Sequence, residues 1–403
     1  MTAIAGAGAR GMFHPFGFGG PPVNCVAVSR TAKLLAELVA LPSVNPAYAP
    51  PNDPQAGEQR VADFLAATAA RAGLEVEFQN VMPGRSNLLA RLQPPGKPRR
   101  RILLAPHLDT VNPASEAQFT PRRKGDRLYG RGACDTKGSI AAMLTALGEV
   151  ACSKQRPRQT EIVFAGLIDE EHGQSGSRAL VNSGFRADLA IIGEPTGLRV
   201  VTSHKGSLWL RLETRGRAAH GSAPQLGRNA ILAMARVVQR LQTDYAARLC
   251  RRRHPLLGCA TVSVGTIAGG TQPNLVPDRC AIEIDRRSLP GETAATVRRE
   301  IGALLRRKGL RARITDAKSA PCWPLDTDTS LPLVQQFLRC AGRSQPVGAP
   351  FFCDAAVLAH GATPSVVFGP GNLAQAHTAD EWISLPQLER GHDVLLRFLK
   401  SLP

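Results

Sequence analysis

The chain has few aromatic residues, 5% of 403. Its formal net charge of +18 would suggest a polyanion partner, but with so few aromatics base stacking has little support. The basic residues fall in short clusters at 97–101, 122–124, 251–253 and 306–313, none interleaved with aromatics. They read as solvated, arginine-rich surface, and no nucleic-acid partner is expected. No apolar run approaches the ~20 residues of a membrane-spanning helix, so no membrane is expected either. The nine cysteines include no C-x-x-C pair, which leaves zinc-ribbon chemistry unsupported. Their odd number and irregular spacing fit reduced thiols in a cytoplasm better than a disulfide framework. Residues 1–28 lack acids and any continuous apolar core of the signal-peptide kind. They read as a flexible extension.

What is present describes a globular protein: 43% hydrophobic and 20% charged residues, at a length that favours two domains. Residues 162–168 form an apolar run of the right length for a strand buried on both faces. It breaks into Asp169, Glu170, Glu171 and His172. In open α/β sheets, ligands gather outside the carboxyl ends of the strands, so other strands delivering charge to that edge are informative. A second run ends at His107-Leu-Asp109. Residues two apart in an extended segment face the same way, so Asp109 can orient the His107 imidazole. A third run ends at Glu194, and a fourth, residues 363–371, precedes His377. Asp135 lies in a Gly-rich loop ahead of a helix with Ile140, Met143, Leu144, Leu147 and Val150 on one face. Each residue has a plain alternative: a core histidine for His107, a helix N-cap for Asp135, a turn for Glu194. Taken together, two histidines and several carboxylates at strand ends suit two divalent ions bridged by one carboxylate. Zinc fits imidazole and carboxylate donors, with cobalt or manganese as substitutes.

Between residues 207 and 317 the pattern changes. Residues 209–214 alternate as a half-exposed antiparallel strand does. Helix signals at 229–246 and 293–308 and strand signals at 261–267, 280–285 and 311–315 complete the order strand–helix–strand–strand–helix–strand. That order predicts a small ferredoxin-like α+β domain, inserted into a first domain made of 29–206 and 318–403.

The motifs HLDT at His107, GRGACDTKG around Asp135, DEEHGQSGS after Asp169 and GEPT at Glu194 resemble those of the two-zinc deacylase and exopeptidase family. That family includes acetylornithine deacetylase, succinyl-diaminopimelate desuccinylase, aminoacylases and glutamate carboxypeptidase. AHGSAP at His220, PNLVP at Asn274, DRRSLPG at Asp285 and AHTADEW at His377 resemble it too, in the family's order. The resemblance implies a zinc-exopeptidase-like α/β fold, with a mixed, mainly parallel sheet flanked by helices and an inserted lid or dimerisation domain. It implies that His107 and Glu194 hold one zinc, that Glu171 and His377 hold the other, and that Asp135 bridges them. Asp109 would support His107, and Glu170 would be the general base. His220, read from the residues alone as an exposed loop histidine, would stabilise the oxyanion, often across a homodimer interface. Asn274 and Arg287 would be substrate contacts, with Arg286 competing for the carboxylate-anchoring role. The turn 369–371 would offer backbone N–H groups, Gly371 included, to the same carboxylate. Asp169 has no role in this reading.

The implied reaction is hydrolysis of the amide bond of a small N-acyl amino acid or short peptide. Acetylornithine is the leading substrate, with desuccinylase and glutamate-type carboxypeptidase activities as alternatives. The segment Cys353-Asp-Ala-Ala departs from both deacylase patterns. Desuccinylases tend to carry an arginine where Ala356 stands, and acetylornithine deacetylases a glutamate where Asp354 stands.

Overall fold

The structure, a computed structural model, describes residues 29–317, 320 and 322–403. The extension 1–28 lies outside the described residues. Strands Thr160–Gly166, Arg100–Pro106 and Leu189–Gly193 lie side by side and parallel at the centre of a nine-stranded sheet. Ser365–Val367 continues the parallel set, and antiparallel Arg85–Leu92 and Glu75–Met82 extend the other side. The central strands read as unbroken apolar runs because helices cover both faces. Side chains alternate between two cores as the period of two requires. Ile102, Leu104, Ile162, Phe164, Leu189 and Ile191 point into one core, shared with helices Lys137–Ala151 and Leu385–Lys400. Leu103, Val163, Ala190 and Ile192 point into the other, against helices Ser175–Asn182 and Ala355–His360. The helix Lys137–Ala151 is buried nearly all round, as expected for one packed between a sheet and another helix.

Ser29 caps the helix Arg30–Val39 by accepting from the Ala32 amide at 3.0 Å. That helix buries Leu34, Leu35, Leu38 and Val39 against the same core.

The second sheet has four antiparallel strands in the order Thr261–Gly269, Arg279–Ser288, Gly206–Arg215, Arg313–Asp316. Its connections run strand–helix–strand–strand–helix–strand, the ferredoxin-like arrangement. One face carries Leu208, Leu210, Leu212, Ile282 and Ile284 against helices Ala230–Arg240 and Ala294–Arg307. The opposite face is open enough to leave Trp209 48% exposed. Two chain crossings join the sheets, and the first is a single residue long. Val201–His204 belongs to the large sheet and Gly206–Arg215 to the small one, with Lys205 between them. The returning chain crosses beside it: the Ser207 amide donates to the Cys322 carbonyl at 2.8 Å, and Leu325 pairs with His204.

Candidate metal centre

The carboxyl ends of the central strands converge on one cluster. Asp135 lies between two imidazoles: its Oδ1 is 3.1 Å from His107 Nε2 and its Oδ2 is 3.3 Å from His377 Nε2. His377 Nε2 is also 3.2 Å from Glu171 Oε1, and His107 Nε2 is 3.9 Å from Glu194 Oε1. Donor atoms of His107, Asp135 and Glu171 lie within 4.8 Å of one another, as do those of His107, Glu170 and Glu194. The structure thus assembles all five expected ligands and Glu170. Asp135 does not cap the following helix; Thr136 occupies the N-cap position.

These donors fit a pair of divalent cations. One carboxylate with an oxygen toward each histidine is a bridging geometry, and each histidine has a further carboxylate beside it. The electrostatics agree. Burial, then the charge of Glu194, pushes the Glu170 carboxyl well above its usual range, and burial with Asp135 and Glu171 does the same to Glu194. Burial opposes charge on Asp135, but hydrogen bonds to His107 and His377 outweigh it and hold the carboxyl well below the usual range. Carboxylates crowded this closely need cations to share.

Around the donors stands a layer of braces, mostly without a sequence signal. Asp109 accepts from Asn45 Nδ2 at 2.7 Å and from the amides of Glu170 and Glu171 at 3.1 and 3.0 Å. It therefore fixes the backbone of Glu170 and Glu171 together. Its support of His107 is shared: His107 Nδ1 is 3.0 Å from the Asp109 carbonyl and 3.4 Å from Asp109 Oδ1. Asp169 turns the chain with φ 66° and accepts from Asn45 at 3.0 Å and Ser175 at 2.5 Å. The Asp169 amide donates to Glu58, which is ion-paired with Arg85. Glu381, 1% exposed, accepts from the amides of Gly132, Cys134 and Asp135 at 3.0, 2.8 and 2.9 Å and pairs with Arg131 at 2.7 Å. That one carboxylate shapes the loop that presents Asp135. Among these braces Asp109 was expected from its place two residues after His107, and Glu381 falls within the motif AHTADEW without a role of its own. Asp169 and His377 are non-glycine residues at positive φ, 66° and 61°. Such positions cost about 1–3 kcal/mol each and persist where surroundings enforce them.

The expected substrate contacts lie elsewhere. His220 is exposed, on a segment bridged to Leu275, with Nδ1 2.7 Å from Ser222 Oγ. Asn274 is its neighbour, its carbonyl accepting from the Gly221 amide at 2.7 Å. Among the described residues, no hydrogen bond or ion pair joins His220 or Asn274 to the cluster. Arg286 is fully buried and held by both oxygens of Glu292 at 2.8 and 2.9 Å. It is therefore committed to the fold. Arg287 keeps 30% of its side chain exposed, 2.9 Å from Asp285 and over the Phe352 ring. The amide role expected of Gly371 needs correcting. Its N–H donates to Gln387 Oε1 at 2.8 Å, that of Gly369 donates to Thr196 Oγ1 at 3.2 Å, and Pro370 has none. The turn has no free donor. Gly371 is needed for its backbone, φ 94°, where a Cβ would sit 2.6 Å from Cys134 Sγ.

Comparison with known proteins agrees with this geometry. Residues 103–401 match the model of peptidase family M20/M25/M40. A protein of Myxococcus xanthus named acetylornithine deacetylase is 32% identical over 352 residues, covering 83% of this chain and 90% of its own. Two solved structures share the fold. Aminopeptidase PepT from Bacillus cereus aligns with a TM-score of 0.73 at 22% identity, over 92% of this chain and 97% of its own. YXEP from Bacillus subtilis, described as a dinuclear metal binding peptidase from the M20 family, aligns at 0.68 and 13%, over 92% and 97%. The chain is a hydrolase and belongs to peptidase family M20/M25/M40.

Proposed function

We propose that this chain is a two-metal amidohydrolase that removes the acetyl group of N-acetylornithine. The observation that carries the metal chemistry is Asp135, one oxygen toward His107 and the other toward His377. His107 and Glu194 would hold one ion and Glu171 and His377 the other, zinc in the first instance, with cobalt or manganese as substitutes. Such ions would act as Lewis acids on the scissile carbonyl and acidify a water. Glu170 takes the proton from the attacking water and returns it to the departing amine. Asp109 holds the backbone of Glu170 and Glu171, so base and ligand keep a fixed spacing. His220 stabilises the oxyanion and Arg287 pairs with the substrate carboxylate, with Asn274 as a further contact.

The name shared by the curated relatives supports acetylornithine as substrate. Ala356 is buried, so that position supplies no cation of the desuccinylase kind. Exposed Leu226, Ile231, Ile267 and Leu275 in the small-sheet region support its use as a homodimer interface. A kcat/KM screen of the zinc-loaded protein on N-acetylornithine, N-succinyl-diaminopimelate, N-acetyl amino acids and dipeptides tests the reading. The highest value is expected for N-acetylornithine. A higher value on another compound reassigns the substrate, and no hydrolysis with two ions bound per chain overturns the function.

A further inference from the structure

The small sheet carries a second concave site, unrelated to the metal centre. Arg306 ends the helix Ala294–Arg307, where a cation suits the helix C-terminus. That explanation does not extend to its neighbours. Arg311 and Arg313 lead into the edge strand, Arg228 and Arg236 come from the start and middle of the neighbouring helical segment, and Arg215 ends a central strand. The fold brings these six arginines to one cleft of about 910 Å³, within the size range of small-molecule sites. Its single acid, Glu213, is already shared by Arg215 at 2.9 Å and Arg279 at 2.5 Å.

Neighbouring cations are paired differently. On the same helices and the turns that follow them, Arg240 and Lys308 pair with Asp244, Arg248 and Arg252 with Glu300, and Arg298 with Asp316. Among the described residues, Arg228, Arg236, Arg306, Arg311 and Arg313 have no ion pair. Five uncompensated guanidinium groups around one concavity repel each other, and buried Leu305 beneath them strengthens the field. A multivalent anion removes that repulsion, and the planar fork of arginine matches phosphate oxygens. The cleft lining contains no aromatic residue, so nothing there stacks a base.

We propose that this cleft binds a short phosphate chain, of the kind found in tripolyphosphate or a nucleoside triphosphate. Isothermal titration calorimetry on the full metal-loaded chain with magnesium tripolyphosphate tests it, alongside magnesium ATP, orthophosphate and a single-stranded DNA oligomer. Tripolyphosphate and ATP are expected to bind with similar Kd, both more tightly than orthophosphate. The double variant Arg236→Ala/Arg306→Ala should weaken tripolyphosphate at least about tenfold. Arg99→Ala/Arg100→Ala, on an exposed stretch away from the cleft, should leave it unchanged. All three proteins should keep the same hydrolase activity and circular dichroism, since none of these residues belongs to the catalytic machinery. An equal loss in both double variants would mean diffuse surface charge and overturn the site. So would the absence of binding beyond orthophosphate, or tighter binding of the DNA than of tripolyphosphate.

Discussion

The metal centre and the His220 region contrast in how their side chains are held. The backbone that presents Glu171 and Asp135 is held by amide-to-carboxylate hydrogen bonds to Asp109 and Glu381, and the Asp169 amide beside them by one to Glu58. Among the described residues the His220 side chain hydrogen-bonds only to Ser222, and it is exposed. Chemistry that needs a fixed distance between two ions is built on strand ends and buried braces. His220, proposed to meet the substrate from the second sheet, is loosely held.

The largest effect that sharpens this contrast is expected for Glu170→Ala. Loss of the base should lower kcat by about 10²–10⁴ while metal content stays near two per chain, measured by elemental analysis beside steady-state kinetics. A near-normal kcat would remove Glu170 from the role. His220→Ala comes next, with kcat lower by ~10²–10³ at unchanged metal content. An unchanged rate would leave His220 a surface histidine and widen the contrast into one between a site and plain surface. Glu381→Gln tests the braces themselves. An amide cannot accept from three backbone N–H groups as the carboxylate does, and metal affinity should fall roughly 10–100-fold, read by competition with a chromogenic chelator. Unchanged affinity would mean the Asp135 loop holds its shape without Glu381.

The smallest effect concerns Lys137, the first residue of the helix that follows the loop shaped by Glu381. Burial brings its ammonium down to about 7 from 10.5. Between those values the unfolded chain binds more protons than the folded one, so folded stability rises with pH across the window. Urea unfolding of Lys137→Met at about pH 7 and pH 10 should show a smaller rise than the parent protein. An equal rise would show that other groups set it.

His107, Glu171 and Glu194 stood out in the sequence because each closes an apolar run, and strand ends in a parallel sheet share an edge; Asp135, in a loop, and His377, beyond its run, stood out by their motifs. The ferredoxin-like order was legible because its helices and half-exposed strands alternate in plain periods. Apart from Asp109, the braces were not. Glu381 acts through the amides of a loop far back in the chain, and Glu58 and Asn45 precede the strands whose ends they steady. Nothing local marks them. Adjacent Arg286 and Arg287 could not be separated by pattern, since either face of their strand could have been the buried one. The amide role of Gly371 failed because Gln387, on the last helix, takes its N–H.

Both crossings, at Lys205 and beside it at Cys322, lie at one end of the strand Gly206–Arg215, which gives the second sheet the mechanics of a lever. The ten-residue strand Gly206–Arg215 reaches ~30 Å at ~3.3 Å per residue. Arg287 pairs with Ser207 beside the fulcrum, whereas the chain reaches His220 only beyond Arg215 at the far end. A swing of about 10° would carry that end through roughly 5 Å and leave Arg287 nearly still. If both residues meet the substrate as proposed, Arg287 keeps hold of it while His220 travels.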